Sequence, residues 1–353
     1  MKSVIIIPTL NPEKKIIELV KDLRKENFDK IVIVDDGSTQ EFDYIFCELE
    51  NLGCRVTHHQ VNKGKGQAIK TGINFANACY KDFDGYITVD GDYQHLPKDV
   101  KNVALKLQED DSKIVLGERS FNGKEIPIKS RIGNIFSTIF LKIQTGVYIE
   151  DTQTGLRGIP YKYGDFALNV EGSRYEYEMN FLREAISNQI MFEILKIETV
   201  YENNNKGSHF RPLKDAYLIY KEFIKFSIIA ILSAIIDIGL FTILYNTFVL
   251  FFSNNIGIKV ISAISNIIAR ITSGIFNFTM NKEIVFNCKN NTGKQIIQYL
   301  LLFVFQMFVG TLLVSWVSKF TINITIAKMI IDVCIFFVNY FIEKRFIFKR
   351  RTI

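Results

Sequence analysis

Beyond about residue 220 the charges thin out and long Ile, Phe and Leu runs take over. Residues 226–252 carry a single charged side chain, Asp237. A helix of that length, rising ~1.5 Å per residue, crosses the ~30 Å hydrocarbon core of a bilayer. Residues 256–278, 299–317 and 322–342 repeat the pattern, so four spans are predicted. Four crossings return both ends to one side. Lys221, Lys225, Lys282, Lys289, Lys294, Lys344, Arg345, Lys349, Arg350 and Arg351 flank that side, which the positive-inside rule places in the cytosol. The expected location is therefore the cell membrane, multi-pass, with both termini and any soluble half cytosolic.

The first 215 residues mix charge and apolar runs as a globular domain does, so two domains are expected, 1–215 and an all-α membrane domain at 216–353. The chain opens on a strand with no signal peptide before it, as far as this stretch shows. Its net charge of +6 suits anionic lipid and phosphorylated ligands, and no nucleic-acid partner is expected. Cys47, Cys54, Cys79, Cys288 and Cys334 show no paired spacing, which predicts reduced, mostly buried thiols without zinc or disulfides.

Val4–Ile7 is a continuous apolar run, the mark of a strand buried on both faces of a parallel sheet. Residues 14–25 read as a helix with Ile16, Ile17, Leu19, Val20 and Leu23 inward. Strands follow at 30–34 and 54–58, then a glycine-rich turn into a helix through 79, then a strand into Asp90. This alternation predicts a doubly wound α/β fold with ligands beyond the carboxyl ends of its strands. Pro8, Asp35, Asp36, Asp90 and Asp92 should share that rim.

Each rim residue has chemistry available. On an extended chain Asp90, Asp92 and Gln94 point to one side, an oxygen set for Mg2+ or Mn2+ or, alternatively, a solvated acidic turn. Asp35 and Asp36 can accept from a base or ribose. Gly64 and Gly66 let backbone N–H groups approach an anion beside Lys65, or simply make a tight turn. The spacing is not that of a P-loop. Arg119, ending a strand at 115–119, suits a phosphate clamp or a surface salt bridge. Residues 126–143 place Ile128, Ile132, Ile135, Phe136, Ile139, Phe140 and Ile143 on one helical face. Lys129, Arg131, Asn134, Thr138 and Lys142 lie off it. Such a helix packs on the sheet or lies in a bilayer interface, where Arg131 can meet a lipid phosphate. Glu176 and Glu178 suit a helix start or a site. His58, His59 and His95 have no ligand-like partners and are assigned no chemistry.

The ordered set Pro8…Asn11, Asp35-Asp36-Gly37-Ser38, Asn62-x-Gly64-Lys65-Gly66-x-Ala68, Asp90-x-Asp92-x-Gln94-His95-x-Pro97, Gly117-x-Arg119 and Asp151-x-Gln153-x-Gly155-x-Arg157 resembles family 2 glycosyltransferases with a GT-A fold. The branch it resembles most is that of dolichyl- or undecaprenyl-phosphate sugar synthases, over residues 1–215. The resemblance implies nucleotide-sugar contacts from Pro8, Asn11, Asp35, Asp36, Lys65, Gly66 and Asp90. It implies a Mg2+ or Mn2+ site at Asp90, Asp92 and Gln94, and an acceptor phosphate at Arg119 and Arg131. Asp151 matches the acceptor-side motif as base or orienter. Ser208, His209 and Arg211 resemble the loop that closes over the donor diphosphate. Two departures touch nucleotide contacts: Pro12 replaces an acidic residue, and Gln40-Glu41 replaces Asp-Gly.

Asn277-Phe278-x-x-Asn281-Lys282-x-x-Val285-Phe286 recurs 62 residues later as Asn339-Tyr340-x-x-Glu343-Lys344-x-x-Ile347-Phe348. This end of the chain resembles the GtrA family of four-span proteins. Asp237, Arg270 and Asp332, deep in the spans, should face the bundle interior as an ion pair or line a polar path for a sugar-phosphate headgroup. The expected reaction is transfer of one sugar from a UDP- or GDP-sugar to a polyprenyl phosphate at the cytosolic face, metal-dependent and inverting. Polysaccharide extension or a nucleotide-sugar-binding flippase or scaffold are the rivals, and a homo-oligomer is allowed.

Overall fold

The apolar run at Val4–Ile7 is wholly buried, in the middle of a seven-stranded sheet. The computed structural model describes residues 1–119, 128–198, 212–252, 257–288, 292–317 and 324–348. Strand and helix alternate through β1 (Val4–Thr9), α1 (Lys15–Lys25), β2 (Ile31–Asp35), α2 (Asp43–Asn51), β3 (Arg55–His58), α3 (Lys65–Cys79), β4 (Gly85–Thr88) and α4 (Pro97–Glu109). Then come β5 (Lys113–Arg119), α5 (Ile128–Thr145), β6 (Arg157–Pro160), α6 (Gly164–Asn169), α7 (Glu176–Ser187) and β7 (Met191–Ile197). The five residues expected to face inward on α1 are its buried residues.

Alternation along β1 divides the core into two layers. Ile5 and Ile7 pack with α1, α2 and α4 through Ile16, Leu19, Phe46 and Val103. Val4 and Ile6 face the other way, onto Ile69 and Ile73 of α3 and Phe181 and Leu182 of α7. The strand order is β3-β2-β1-β4-β6-β5-β7. All neighbours are parallel except β6, which runs antiparallel to β4 and β5. Its direction follows from its origin. β6 leaves the loop at 150–156, which lies at the rim where the parallel strands arrive.

The chain divides into two compact units, Met1–Ile219 and Tyr220–Ile353. The second is helical: α8 (Pro212–Phe252) from Tyr220 onward, α9 (Ile258–Met280), α10 (Thr292–Val317) and α11 (Ile324–Ile342). Among the described residues, three segments are long and apolar enough to cross a membrane: Tyr220–Phe252, Ile258–Val285 and Thr292–Val317. α11, the fourth expected span, is a helix of 19 residues. Arg270 pairs with Asp237 at 3.4 Å, as the ion-pair reading expects. Asp332 departs from it. Its partner is Lys328, one turn back on the same helix. The thiols also depart from expectation: Cys54 and Cys288 are buried, whereas Cys47, Cys79 and Cys334 are exposed.

Candidate active site

β1, β2 and β4 deliver Pro8, Asp35, Asp36 and Asp90 to one rim because parallel strands in register end together. Asp36 is anchored there by its N–H, which donates to the Thr9 carbonyl at 2.8 Å. Its carboxylate accepts from the backbone N–H groups of Lys63 (2.9 Å) and Gly64 (2.8 Å). Both oxygens are thereby engaged in holding the glycine-rich loop. Gly64 has φ +100°, and a Cβ there would lie 2.5 Å from the Ser173 carbonyl oxygen, so only glycine fits. Asn11, also left-handed at φ 48°, ties the loop after β1 to the loop after β2. Its N–H donates to Ser38 Oγ at 2.8 Å, and its side-chain oxygen accepts from Thr39 N–H at 3.1 Å.

The histidines, given no chemistry above, are the first correction. His58 Nδ1 lies 2.9 Å from Asp35 Oδ2, and His59 Nδ1 lies 2.8 Å from Asp36 Oδ1. A carboxylate at Nδ1 places a proton there, and the other ring nitrogen of His59 lies 3.0 Å from the Thr71 hydroxyl. His95 Nε2 lies 3.3 Å from Asp90 Oδ2. All three imidazoles therefore orient rim carboxylates.

Asp90 is the centre of the second cluster. Lys65 Nζ stands 2.7 Å from Asp90 Oδ1 and 2.7 Å from Glu178 Oε1. Burial works against the Lys65 charge, but the carboxylates of Asp90 and Glu178 outweigh it and raise its pKa. Burial likewise opposes ionisation of Asp90, yet Lys65 and His95 hold its carboxyl well below the usual range. Glu178, in the first turn of α7, therefore meets the rim through Lys65. Lys65 is held inward between two carboxylates rather than lying along the loop as a free charge.

Asp90 and Asp92 are not placed on an extended strand. β4 ends at Thr88, and the carboxylates sit in a turn whose Tyr93 has φ 63°. The Tyr93 hydroxyl hydrogen-bonds Asp22 of α1 and pins that turn. The two acids nevertheless crowd one another: burial first, and the charge of Asp90 second, push the Asp92 carboxyl up. Among the described residues Asp92 forms no ion pair, and its carboxylate accepts only from Gln94 N–H at 3.2 Å. No group of three or more His, Cys, Asp or Glu is set to hold a metal among those residues. Two carboxylates and a carboxamide do fit Mg2+ or Mn2+, which commonly take one or two protein carboxylates and complete their shell with water and substrate phosphate.

The acceptor-motif loop closes this side. The Thr88 hydroxyl donates to the Gly155 carbonyl at 2.7 Å, drawing the loop against β4. A Cβ on Gly155 would lie 2.0 Å from Asp90 Oδ2. Gly155→Ala is therefore expected to displace the Asp90 carboxylate and cut transferase turnover by more than tenfold, measured as initial rate at saturating donor. Asp151, fully buried, meets Arg119, the residue given above as a phosphate clamp or a salt bridge. Arg119 Nε donates to Asp151 Oδ2 at 2.6 Å and Nη2 to Oδ1 at 3.0 Å. Arg157 is buried as well, donating to the carbonyls of Thr154 and Glu178 and lying over the Phe181 ring.

Helix α5 buries polar residues together with Phe140 and Leu141. Asn134, Ser137 and Thr138 are buried, while Ile135, Ile139 and Ile143 are exposed. The buried polar groups hold the loop at 150–156. Asn134 Nδ2 and the Thr138 hydroxyl donate to the Glu150 carbonyl, and Ser137 Oγ meets Thr152 Oγ1 at 2.7 Å. The Arg131 side chain and residues Ser208, His209 and Arg211 lie outside the described residues.

Residues 4–173 match the profile described as Glycosyl transferase family 2, and residues 225–348 that of the GtrA/DPMS transmembrane domain. A UDP-N-acetylglucosamine–dolichyl-phosphate N-acetylglucosaminyltransferase of Methanococcus voltae is 32% identical over 219 residues, covering 56% of this chain and 85% of the relative. An uncharacterized protein of Methanocaldococcus jannaschii is 32% identical over 201 residues, 56% of this chain and 81% of the relative. Among solved structures, glucosyl-3-phosphoglycerate synthase of Mycobacterium tuberculosis aligns with a TM-score of 0.47 at 16% identity, over 64% of this chain and 78% of that one.

Proposed function

Because this chain belongs to glycosyl transferase family 2 and carries a GtrA/DPMS transmembrane domain, we propose that it moves one sugar from a nucleotide-sugar to a polyprenyl phosphate at the cytosolic membrane face. The observation that carries the lipid acceptor is α5. Its exposed isoleucines suit acyl chains, and its buried polar face grips the loop bearing Asp151. The Methanococcus voltae relative, named for a UDP-sugar donor and a dolichyl-phosphate acceptor, supports both substrate classes.

The chemistry asks little proton transfer of the protein, since the lipid phosphate is already anionic near neutral pH. One phosphate oxygen attacks C1 of the sugar as the bond from C1 to the nucleoside diphosphate breaks, and a single displacement inverts the anomeric centre. Asp90, Asp92 and Gln94 would hold Mg2+ or Mn2+, which when bound neutralises charge on the diphosphate. Asp35 faces the nucleoside side of the rim, and Asp36 keeps the loop at 62–66 open to the donor. The Arg119–Asp151 pair stands on the acceptor side, with Arg131 on α5 meeting the lipid phosphate. Ser208, His209 and Arg211 would add the diphosphate contacts that the resemblance implies. The four helices cross the membrane with both termini cytosolic.

Purified protein offered UDP- and GDP-sugars, undecaprenyl phosphate and Mn2+ should pass radiolabel into an organic extract. Label found only in water-soluble polymer would sink this reading in favour of chain extension. No transfer with any donor would leave a binding scaffold.

A further inference from the structure

Asn281 and Glu343 hold equivalent places in the two copies of the echoed motif. Each opens a short π-helical turn, Asn281–Val285 after α9 and Glu343–Ile347 after α11. Both turns close alike: Phe286 N–H donates to the Asn281 carbonyl at 2.9 Å, and Phe348 N–H to the Glu343 carbonyl at 2.7 Å. The copies then meet. The rings of Phe286 and Phe348 stack 5.2 Å apart, and Asn281 Nδ2 donates to Glu343 Oε2 at 3.1 Å. Turns of this kind within helices gather at functional sites.

Both side chains are buried, Asn281 at 0% and Glu343 at 4% exposure. No cation answers the carboxyl among the described residues. Lys344 pairs with Glu222, Lys282 donates to Thr292 and Lys225 to the Ile284 carbonyl. Arg345 lies over the Phe346 ring, and the Tyr299 hydroxyl of α10 donates to Asn277 Oδ1 at 2.9 Å. Glu222 and Glu283 add only negative charge to this end of the bundle. A second defect sits alongside: Asn281 Oδ1 is buried without a hydrogen-bond partner among the described residues.

A buried, unpaired carboxylate and an unmet amide oxygen are each unfavourable. One proton removes both faults. We propose that Glu343 and Asn281 form a proton-binding site at the seam between the two echoed helical hairpins. Glu343 is held there as a neutral acid that donates to Asn281 Oδ1 while accepting from Asn281 Nδ2. The acid–amide pair joins the hairpins while the proton stays. Ionisation at raised pH removes the donor, places a bare charge in the seam and loosens it. This property belongs to the membrane domain and stands apart from sugar transfer.

Infrared spectra of the full-length protein in detergent micelles test it. At neutral pH the parent should show one protonated-carboxyl carbonyl band per chain that is lost in Glu343→Gln. The band should also fade from the parent as pH rises. Asn281→Ala should keep the band and move it to higher wavenumber, because the acid loses its amide partner. Identical acid bands in the parent and Glu343→Gln would overturn the proposal. Should Glu343→Gln fail to fold, a band unmoved by Asn281→Ala would overturn it instead.

Discussion

Asp92→Asn should lower the rate of lipid-linked product formation by about 10²–10³-fold, the loss seen when one well-placed electrostatic group is removed from a transfer site. The metal-free variant should melt no lower than the parent. The two outcomes share a cause. Asp90 is already held by Lys65 and His95, so Asp92 supplies the carboxylate not engaged in an ion pair. It sits half-buried beside the like charge of Asp90, a destabilising arrangement of the sort that persists at working sites. Asparagine keeps the shape and relieves the repulsion, but it gives up the charge a divalent ion needs. The checks are radiolabel extracted into organic solvent and thermal unfolding without added metal. Normal transfer would remove Asp92 from the site, and a large fall in melting temperature would make the loss structural.

The layered α/β fold was legible because its strands are buried apolar runs and its helices carry one-sided patterns. Val4–Ile7 and the five inward residues of α1 illustrate each signal. Placement of Asp35 and Asp90 at a common rim follows from parallel pairing alone. The contacts of those acids were not legible. His58 meets Asp35 only because β3 lies beside β2 with the two residues in register. No local pattern states which strands are neighbours. Lys65, next to two glycines, reads as a loop charge, and it becomes half-buried because α7 returns and brings Glu178 against it. In α5 the periodicity separates an apolar from a polar face without saying which meets the protein. The answer is mixed: Asn134, Ser137 and Thr138 are buried with Phe140 and Leu141, while Ile135, Ile139 and Ile143 stay exposed. The membrane half shows the same division. Its apolar runs are plain, whereas the pairing of Asp332 with Lys328, rather than with Arg270, depends on how the helices turn.

Arg119→Met should be the more damaging change for the fold. Asp151 is fully buried, and its two oxygens accept two bonds from the guanidinium. Breaking a buried pair from one side leaves an uncompensated charge, which costs about 3–5 kcal/mol. At ~2–4 °C per kcal/mol for a domain of this size, the melting temperature should fall by roughly 10 °C. Remaining support for Asp151 is weak, since the backbone N–H groups of Arg119 and Gln153 lie at 3.3 and 3.2 Å. Adding Asp151→Asn to Arg119→Met removes the stranded charge, so the double variant should regain most of the lost stability. Its transfer rate should stay low if the pair also positions the acceptor phosphate. Calorimetry and the organic-extraction assay on the three variants separate the roles. An unchanged melting temperature in Arg119→Met would show that the pair does not hold the loop. Recovery of both stability and turnover in the double variant would reduce the pair to scaffolding, and the acceptor phosphate would then need another clamp.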